Sequence, residues 1–285
     1  MSDKIPQIAF QGEPGANSHI ACHEVFADLA ILPCATFEDA LNAVENGSAK
    51  YGMLPIENSI AGRVADLHHL LPESNLFIVG EHFLRVRHAL LGVPGSKISD
   101  LETVHSHTQA LGQCRVSLRD MGVDAMPAAD TAGAARMIAD RKDKSQGAIA
   151  STLAAEIYGL EILKTDIEDH DHNTTRFLVM SRDRDDPPIG TQNVITSFIF
   201  RVRNVPAALY KAMGGFATNG VNMTKLESYQ VGGSFNATQF YADIAGHPQD
   251  RGVQFAMEEI QFFTNKLRIL GAYRQSPTRA NLNIS

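Results

Sequence analysis

The sequence is poor in the features that define several protein classes, and each shortage excludes one of them. Its three cysteines, Cys22, Cys34 and Cys114, are odd in number and far apart, so neither a disulfide framework nor a cysteine zinc site is expected. No apolar run approaches the roughly 18 residues that a membrane-spanning helix needs, and residues 1–10 lack the pattern of a signal peptide. We therefore expect a protein of the reducing cytoplasm with no membrane partner.

Positive charge is also in short supply, since the formal net charge is −7 over 285 residues. This balance argues against a nucleic-acid partner, and a ligand-responsive transcription regulator is disfavoured because no basic helix-turn-helix segment is present. A small anionic substrate stays compatible, because a local pocket can be basic on an acidic protein. The length allows two domains.

Catalytic and metal-binding signatures are mostly absent. There is no G-x-S-x-G elbow and no H-E-x-x-H pair. Gly12 and Gly15 precede a predicted helix, where backbone N–H groups favour an anion, but they do not form the dinucleotide fingerprint. The histidine pairs are His68 with His69, His105 with His107, and His170 with His172. They lack a nearby cysteine or zinc-finger spacing, so we expect solvated or capping histidines and no metal.

The order of elements predicts an α/β fold for residues 1–182. Strands and helices alternate, which indicates parallel strands arranged in two lobes around a cleft. Ser18 and Thr36 are predicted to cap the first two helices, and Ser106 to open a later one. The predicted strands are residues 5–10, 32–35, 51–55, one or two strands within 77–91, then 103–105, 147–150 and 177–180.

A charged and proline-rich stretch at residues 183–192 is predicted to be an interdomain linker. Residues 193–285 then follow the order βαββαβ, a ferredoxin-like unit with a hairpin turn at residues 231–234. Such a small sheet leaves an edge or a face open, so pairing with a second copy is expected.

The stretch at residues 173–177 places a threonine and an arginine at the entry of a buried strand. The guanidinium of Arg176 can bind a carboxylate through a planar fork of donors, and the hydroxyl of Thr175 can donate or accept a hydrogen bond. Taken alone, the stretch also fits a plain strand start with a solvated arginine.

Two further polar segments are predicted to face the same cleft. Residues 55–59 follow a predicted strand end, where α/β proteins bind ligands. Residues 106–109 open a predicted helix, with Gln113 on the same face as Gln109. Ordinary turn capping and helix capping are the alternative explanations for these two segments.

These motifs, in this order and spacing, resemble the prephenate dehydratase family. The resemblance rests on the Gly12–Gly15 turn, Pro55 to Ser59, Ser106 to Ala110 with Gln113 and Cys114, and Asn173 to Phe177. It implies a two-lobed catalytic domain, similar to periplasmic binding proteins, over residues 1–182. The second domain resembles an ACT regulatory domain. No chorismate mutase segment precedes residue 5, so the resemblance is to a monofunctional enzyme.

The resemblance implies conversion of prephenate to phenylpyruvate, CO2 and water in phenylalanine biosynthesis, with no cofactor. It makes Thr175 the donor to the leaving hydroxyl, with Glu57 as the rival acid. Arg176 is expected to anchor a substrate carboxylate, assisted by helix N-termini near Ser18 or His107. The remaining expected substrate contacts are Asn58, Ser59, Ser106, Gln109, Gln113, Asn173 and Phe177.

For the second domain, the resemblance implies phenylalanine as an allosteric effector, at an interface in a homodimer or homotetramer. The expected effector residues are Asn222, Met223, Thr224, Leu226, Glu227 and Ser228. The family's usual E-S-R-P run is here Glu227 to Gln230, with Tyr229 and Gln230 in place of arginine and proline. Effector affinity or identity is therefore open.

Two alternatives remain at this point. Arogenate dehydratase removes the same groups from the amino analogue of prephenate and shares the motifs. A non-catalytic amino-acid-binding protein would also have two lobes around a cleft. The absence of a signal peptide and the pairing of a hydroxyl with an arginine at residues 175–176 argue against the binding protein.

Overall fold

The computed structural model describes residues 8–203, 205–230 and 237–282, which form a mixed α/β fold. The predicted turn at residues 231–234 and the predicted strand residues 5–7 lie outside the described residues. Two compact units divide the chain. The first takes in the described residues up to Val64 together with Phe83–Phe177, and the second takes in Ala65–His82 and the described residues from Leu178 onward. The boundary predicted at residues 183–192 stays a prediction. In the described residues, no helix is long and apolar enough to cross a membrane.

The first sheet begins the chain and returns near its middle. Its early elements are β1 Ile8–Gln11, α1 Asn17–Val25, β2 Ile31–Cys34, α2 Phe37–Glu45, β3 Tyr51–Asn58, β4 Gly62–Arg63, α3 Ala65–Leu70 and β5 Phe77–Arg85. A later strand, β11 Thr174–Ser181, joins it, giving the strand order β2-β1-β3-β11-β5 with β4 paired to β3. Strand β1 is parallel to both neighbours, as the alternation of strands and helices predicted.

A second sheet is built from the residues between β5 and β11. Its elements are β6 Ala89–Gly92, a 3-10 turn Ile98–Asp100, β7 Thr103–His107, α4 Thr108–Gln113, α5 Arg115–Met121, β8 Asp124–Ala128, α6 Thr131–Arg141, β9 Gln146–Ala150, α7 Thr152–Tyr158 and β10 Glu161–Lys164. The strand order is β10-β6-β9-β7-β8. The apolar faces of this sheet and its helices bury two clusters, centred on residues such as Leu91 and Val104.

Helix caps explain several of these boundaries. The side chains of Thr36, Asp130 and Ser151 accept hydrogen bonds from backbone N–H groups in the first turns of α2, α6 and α7. The predicted cap at Ser18 is wrong, because α1 begins at Asn17 after Ala16, whose side chain has no oxygen to accept the bond. Ser18 is instead a buried residue of the helix.

The third sheet lies in the second compact unit and follows the predicted βαββαβ order. Its elements are β12 Val194–Val202, α8 Ala208–Thr218, β13 Met223–Gln230, β14 Ala237–Ala245, α9 Arg251–Phe263 and β15 Thr264–Arg274, followed by α10 Pro277–Leu282. The strand order is β13-β14-β12-β15, which leaves β13 and β15 at the edges. Phe198, Phe200, Phe216 and Phe240 form the buried core between this sheet and its two helices.

Candidate active site

A cleft of about 480 Å³ lies within the first compact unit. The ends of strands and the beginnings of α1, α4 and α6 surround it. Of the residues expected to be catalytic or to contact the substrate, six line this cleft: Asn58, Gln109, Gln113, Asn173, Thr175 and Phe177. Segments more than 100 positions apart in the chain therefore meet in one cavity.

The orientation of the Asn58 amide is determined by the backbone. Its Oδ1 accepts hydrogen bonds from the N–H groups of Ile60 and Ala61, at 3.0 and 2.9 Å. A flipped amide would face these two donors with its own donor group, so the oxygen must point toward them. The Nδ2 group then points away, and it donates to Oδ1 of Asn173 at 2.7 Å and to Oγ1 of Thr175 at 2.9 Å.

The Thr175 hydroxyl is consequently available as a donor. Its oxygen already accepts a hydrogen from Asn58, and a hydroxyl carries one further hydrogen that can rotate to a second partner. Among the described residues, no acceptor for that hydrogen is present. Since Thr175 lines the cleft, its hydrogen can be donated to a bound ligand.

The same network continues to a histidine that was not predicted as a site residue. Nδ2 of Asn173 donates to Oε1 of Gln113 at 3.0 Å, and Nε2 of His88 lies 2.9 Å from that same oxygen. His88 lines the cleft and is 4 % exposed. Burial lowers the pKa of His88 below its ordinary value, opposed by the hydrogen bond to Gln113 and the charge of Glu168. The sequence gives one signal for His88, its position directly before the apolar run of residues 89–93.

Arg176 and Glu57 form an ion pair outside the cleft lining. Nη1 of Arg176 lies 3.0 Å from Oε1 of Glu57, and the arginine side chain is 2 % exposed. The two residues are neighbours because they lie on β11 and β3, which are adjacent in the sheet. The structure thus does not bring Arg176 into the cleft as a carboxylate anchor, and the carboxylate of Glu57 is engaged by a cation.

Ser59 and Ser106 also lie outside the lining, and both hydroxyls have backbone partners. Oγ of Ser59 donates to the carbonyl of His172 at 2.9 Å, and the N–H of Thr174 donates back to it. Oγ of Ser106 donates to the carbonyl of Ile149 at 2.7 Å. The predicted helix start at Ser106 is wrong, because β7 continues to His107 and buries the Ser106 side chain completely.

The cleft also has polar lining that suits an anion. The first N–H groups of α1 have no side-chain cap, and Asn17 and Ser18 face the cleft. Such a helix start favours negative charge. Arg63, at the end of β4, lines the cleft as well. In the described residues, no group of three or more His, Cys, Asp and Glu side chains is placed to hold a metal ion.

The family model for prephenate dehydratase matches residues 8–185, which contain the whole cleft. The chain belongs to the prephenate dehydratase family. Members of this family are hydro-lyases of phenylalanine biosynthesis, and the chain is an enzyme of this class. The predicted reaction class is therefore confirmed.

Relatives in the prephenate dehydratase family cover nearly the whole chain. A bifunctional N-acyl-homoserine lactone acylase/prephenate dehydratase from Komagataeibacter europaeus is 50% identical over 272 residues, 95% of this chain and 97% of the relative. Arogenate dehydratase/prephenate dehydratase 1 from Arabidopsis thaliana is 39% identical, over 95% of this chain and 72% of the relative. The expectation of a monofunctional enzyme stays a prediction.

A solved structure shows the same fold. Prephenate dehydratase from Arthrobacter aurescens, in complex with L-Phe, has a TM-score of 0.87 at 29% identity, over 94% of this chain and 90% of that one. The coverage extends beyond the residues that the family model matches, so the second compact unit also has a counterpart there.

The predicted effector residues lie on or next to β13 in the second unit, but they do not share one face of the sheet. Leu226 and Ser228 pair with Ala242 and Phe240, on the side that packs against the helices. Glu227 pairs with Tyr241 on the opposite side, where Lys225 is its ion-pair partner at 2.8 Å.

Met223 packs against the helix-side core, Thr224 lies at an irregularity in the pairing, and Asn222 is exposed just before the strand.

Proposed function

We propose that this enzyme converts prephenate to phenylpyruvate, CO2 and water, with Thr175 as the hydrogen-bond donor to the departing hydroxyl. The observation that carries the proposal is the hydrogen bond from Nδ2 of Asn58 to Oγ1 of Thr175. It occupies the oxygen as an acceptor and leaves the hydroxyl hydrogen to be donated into the cleft.

The chemistry requires little more than binding and polarisation. Loss of CO2 supplies the electron pair that aromatises the ring while the C–O bond to the leaving hydroxyl breaks. The departing oxygen gains negative charge as this happens, and a hydrogen bond that strengthens with that charge lowers the barrier. A threonine hydroxyl is too weakly acidic for an early proton transfer, so Thr175 polarises the leaving group rather than protonating it first.

Glu57 is the less suitable donor. The ion pair with Arg176 at 3.0 Å is formed by a deprotonated carboxylate, which has no proton to give. Glu57 directly precedes Asn58 on β3, and Arg176 directly follows Thr175 on β11. Arg176 and Glu57 are therefore proposed to position these strands rather than to contact the substrate.

The two carboxylates of prephenate need two anion sites. We assign one to the uncapped start of α1 at Asn17 and Ser18, and the other to the guanidinium of Arg63. Gln109 and Gln113 supply amide groups that orient the substrate between them.

The direct test is to add prephenate to the purified protein and follow the formation of phenylpyruvate. Comparing kcat/KM for prephenate and arogenate separates the two dehydratase activities, and the Arabidopsis relative carries both names. If only arogenate is turned over, the substrate is arogenate, the amino analogue of prephenate. Failure with both substrates would favour a binding protein.

Acylase activity is a second candidate, favoured by the 50% identity to the bifunctional relative. Amide hydrolysis by a hydroxyl nucleophile needs a base within hydrogen-bond reach. In the described cleft, the hydroxyl of Thr175 is bonded to Asn58 and the ring of His88 to Gln113, so this pairing is not assembled. Incubation with an N-acyl-homoserine lactone and detection of free homoserine lactone tests the activity independently.

Phenylalanine is the proposed effector of the second unit, which has the βαββαβ order of an ACT domain. The support is the L-Phe complex of the Arthrobacter relative. Tyr229 replaces the arginine usual in the family and is buried against the rings of His68 and His69. Activity that stays unchanged at millimolar phenylalanine would contradict this assignment.

A second copy of the chain is the proposed partner of the helix layer in this unit. Tyr210 on α8 is 81 % exposed and Phe262 on α9 is 73 % exposed. Phe255 lies two helical turns before Phe262, on the same face. Light scattering after size exclusion should give a dimer or tetramer, and Phe262→Glu should shift it toward the monomer. A monomeric wild type would contradict the proposal.

A further inference from the structure

His88 lies at the far end of the hydrogen-bonded chain that begins at Thr175. Its ring nitrogen Nε2 is 2.9 Å from Oε1 of Gln113, which also accepts from Nδ2 of Asn173. A distance alone does not say which of these atoms carries the hydrogen, because two tautomers of a neutral imidazole exist.

The backbone resolves the direction of every bond in this chain. The N–H groups of Ile60 and Ala61 require Oδ1 of Asn58 as acceptor. Nδ2 of Asn58 then requires Oδ1 of Asn173 as acceptor, which turns Nδ2 of Asn173 toward Gln113. Gln113 must meet this donor with its oxygen. The oxygen can accept from His88 only if Nε2 carries a hydrogen.

The short segment of residues 167–169 fixes the backbone positions of His88 and Gln113. The N–H of Ile167 donates to the carbonyl of His88 at 3.1 Å, and the N–H of His88 donates to the carboxylate of Glu168 at 2.9 Å. The N–H of Asp169 donates to the carbonyl of Gln113 at 2.7 Å. Three consecutive residues thus fix the backbones on either side of the bond between His88 and Gln113.

The consequence concerns the other end of the Gln113 amide. Because Oε1 accepts two hydrogen bonds, Nε2 of Gln113 must point away from Asn173 and His88. Gln113 lines the cleft, and no acceptor for its Nε2 is present among the described residues. The two N–H groups of this amide can therefore donate to a bound ligand, which suits a carboxylate or keto oxygen. A flipped amide would face that ligand oxygen with its own oxygen and leave both without a hydrogen bond.

We propose that His88 is a positioning residue of the dehydratase site, which holds the Gln113 amide with its N–H groups toward the substrate. This inference rests on the proposed function, and it deepens that function by adding a residue that acts through Gln113. Burial of the imidazole lowers the pKa of His88 and so favours the neutral ring. The bond to Oε1 of Gln113 then places its hydrogen on Nε2.

The first test needs no activity. A 15N-labelled sample at neutral pH should show His88 as the Nε2–H tautomer in long-range 1H–15N spectra, with His88→Gln assigning the signal. A ring protonated on Nδ1 alone would overturn the proposal, whatever the substrate turns out to be. The exposed His172 provides a reference ring in the same spectra.

The second test is a double-mutant cycle on the KM for prephenate. His88→Leu should raise KM by about tenfold or more, and in a Gln113→Leu background the same change should have almost no further effect. His88→Gln, which retains a side-chain donor, should recover most of the loss. Equal effects of His88→Leu in both backgrounds would show that His88 does not act through Gln113.

The two tests separate this inference from the proposed function. Absence of dehydratase activity in the wild type would remove the substrate assignment but leave the tautomer experiment intact. Should His88→Leu fail to fold, the cycle can be run with His88→Phe, which also lacks a ring N–H donor, and the tautomer can be measured on the wild type.

Discussion

Nδ2 of Asn58 lies 2.9 Å from Oγ1 of Thr175, although 117 positions separate the two residues in the chain. The contact joins the ends of two neighbouring strands, β3 and β11. It determines the use of both groups, because the amide can only donate here and the hydroxyl oxygen can only accept from it. The hydroxyl hydrogen of Thr175 is thereby directed to a ligand in the cleft.

Replacing the amide donor of Asn58 by an acceptor should impair catalysis. In Asn58→Asp, a carboxylate faces Oγ1 of Thr175 and captures the hydroxyl hydrogen that the wild type offers to the substrate. We expect kcat to fall by roughly 10²–10³-fold. Asn42→Asp, on the exposed side of α2, is the matched control and should leave kcat unchanged. Equal kcat in the Asn58 variant and the wild type would contradict the direction of this bond.

Removing Arg176 should destabilise the fold. Arg176→Met leaves the partly buried carboxylate of Glu57 without this cation, which costs about 3–5 kcal/mol of unfolding free energy for a buried pair. Arg87→Met breaks a pair with Asp166 whose side chains are 60% and 50% exposed, and it should cost at most about 1 kcal/mol. Urea titrations of both variants measure the difference, and similar losses would argue against a structural role of the buried pair.

A side chain at Gly15 should disturb the start of α1. Gly15 has a φ of +91°, and a Cβ atom there would lie 2.7 Å from Cα of Ala154. Gly15→Ala should lower the unfolding free energy by more than about 1 kcal/mol and raise KM, since the N–H groups after it are the proposed anion site. Gly112→Ala meets nothing within 4 Å and is the control. A wild-type KM in Gly15→Ala would argue against the α1 site.

Stability should fall in mild acid. Burial lowers the pKa of His19, His88 and His105 below 6.5 in the folded chain. The unfolded chain therefore binds more protons as the pH drops below about 6.5, so these groups make unfolding easier there and contribute no pH dependence well above it. Urea midpoints at about pH 7.5 and pH 5.5 measure the effect. His88→Gln should reduce the dependence of the urea midpoint on pH.

Much of the fold could be predicted because its elements have local signals. Thr36 is a capping residue followed by a helix, and it caps α2 as predicted. Asp130 and Ser151 cap α6 and α7 in the same way. Strand β8 and strand β10 were not predicted, because their residues are mostly exposed and show no apolar periodicity. Ser106 was misassigned because a serine before a helix resembles a cap, whereas the side chain of His107 caps α4.

The residues that meet at the cleft could be predicted in part, but the direction of their hydrogen bonds could not. Thr175, Asn58 and Gln113 were expected at one cleft from their motifs. Which of their atoms donate depends on the backbone N–H groups of Ile60 and Ala61, which no pattern of residue types reveals. Arg176 was expected to face the substrate because arginine prefers carboxylates, and the carboxylate it meets belongs to Glu57.

The central claim is that the Thr175 hydroxyl serves as a hydrogen-bond donor to the leaving group, and its most direct test is kcat for prephenate in Thr175→Val and Thr175→Ser. Valine keeps the shape and removes the hydroxyl, so kcat should fall by roughly 10²–10⁴-fold with little change in KM. Serine keeps the hydroxyl and should retain most of the activity. Wild-type turnover in Thr175→Val would contradict the account.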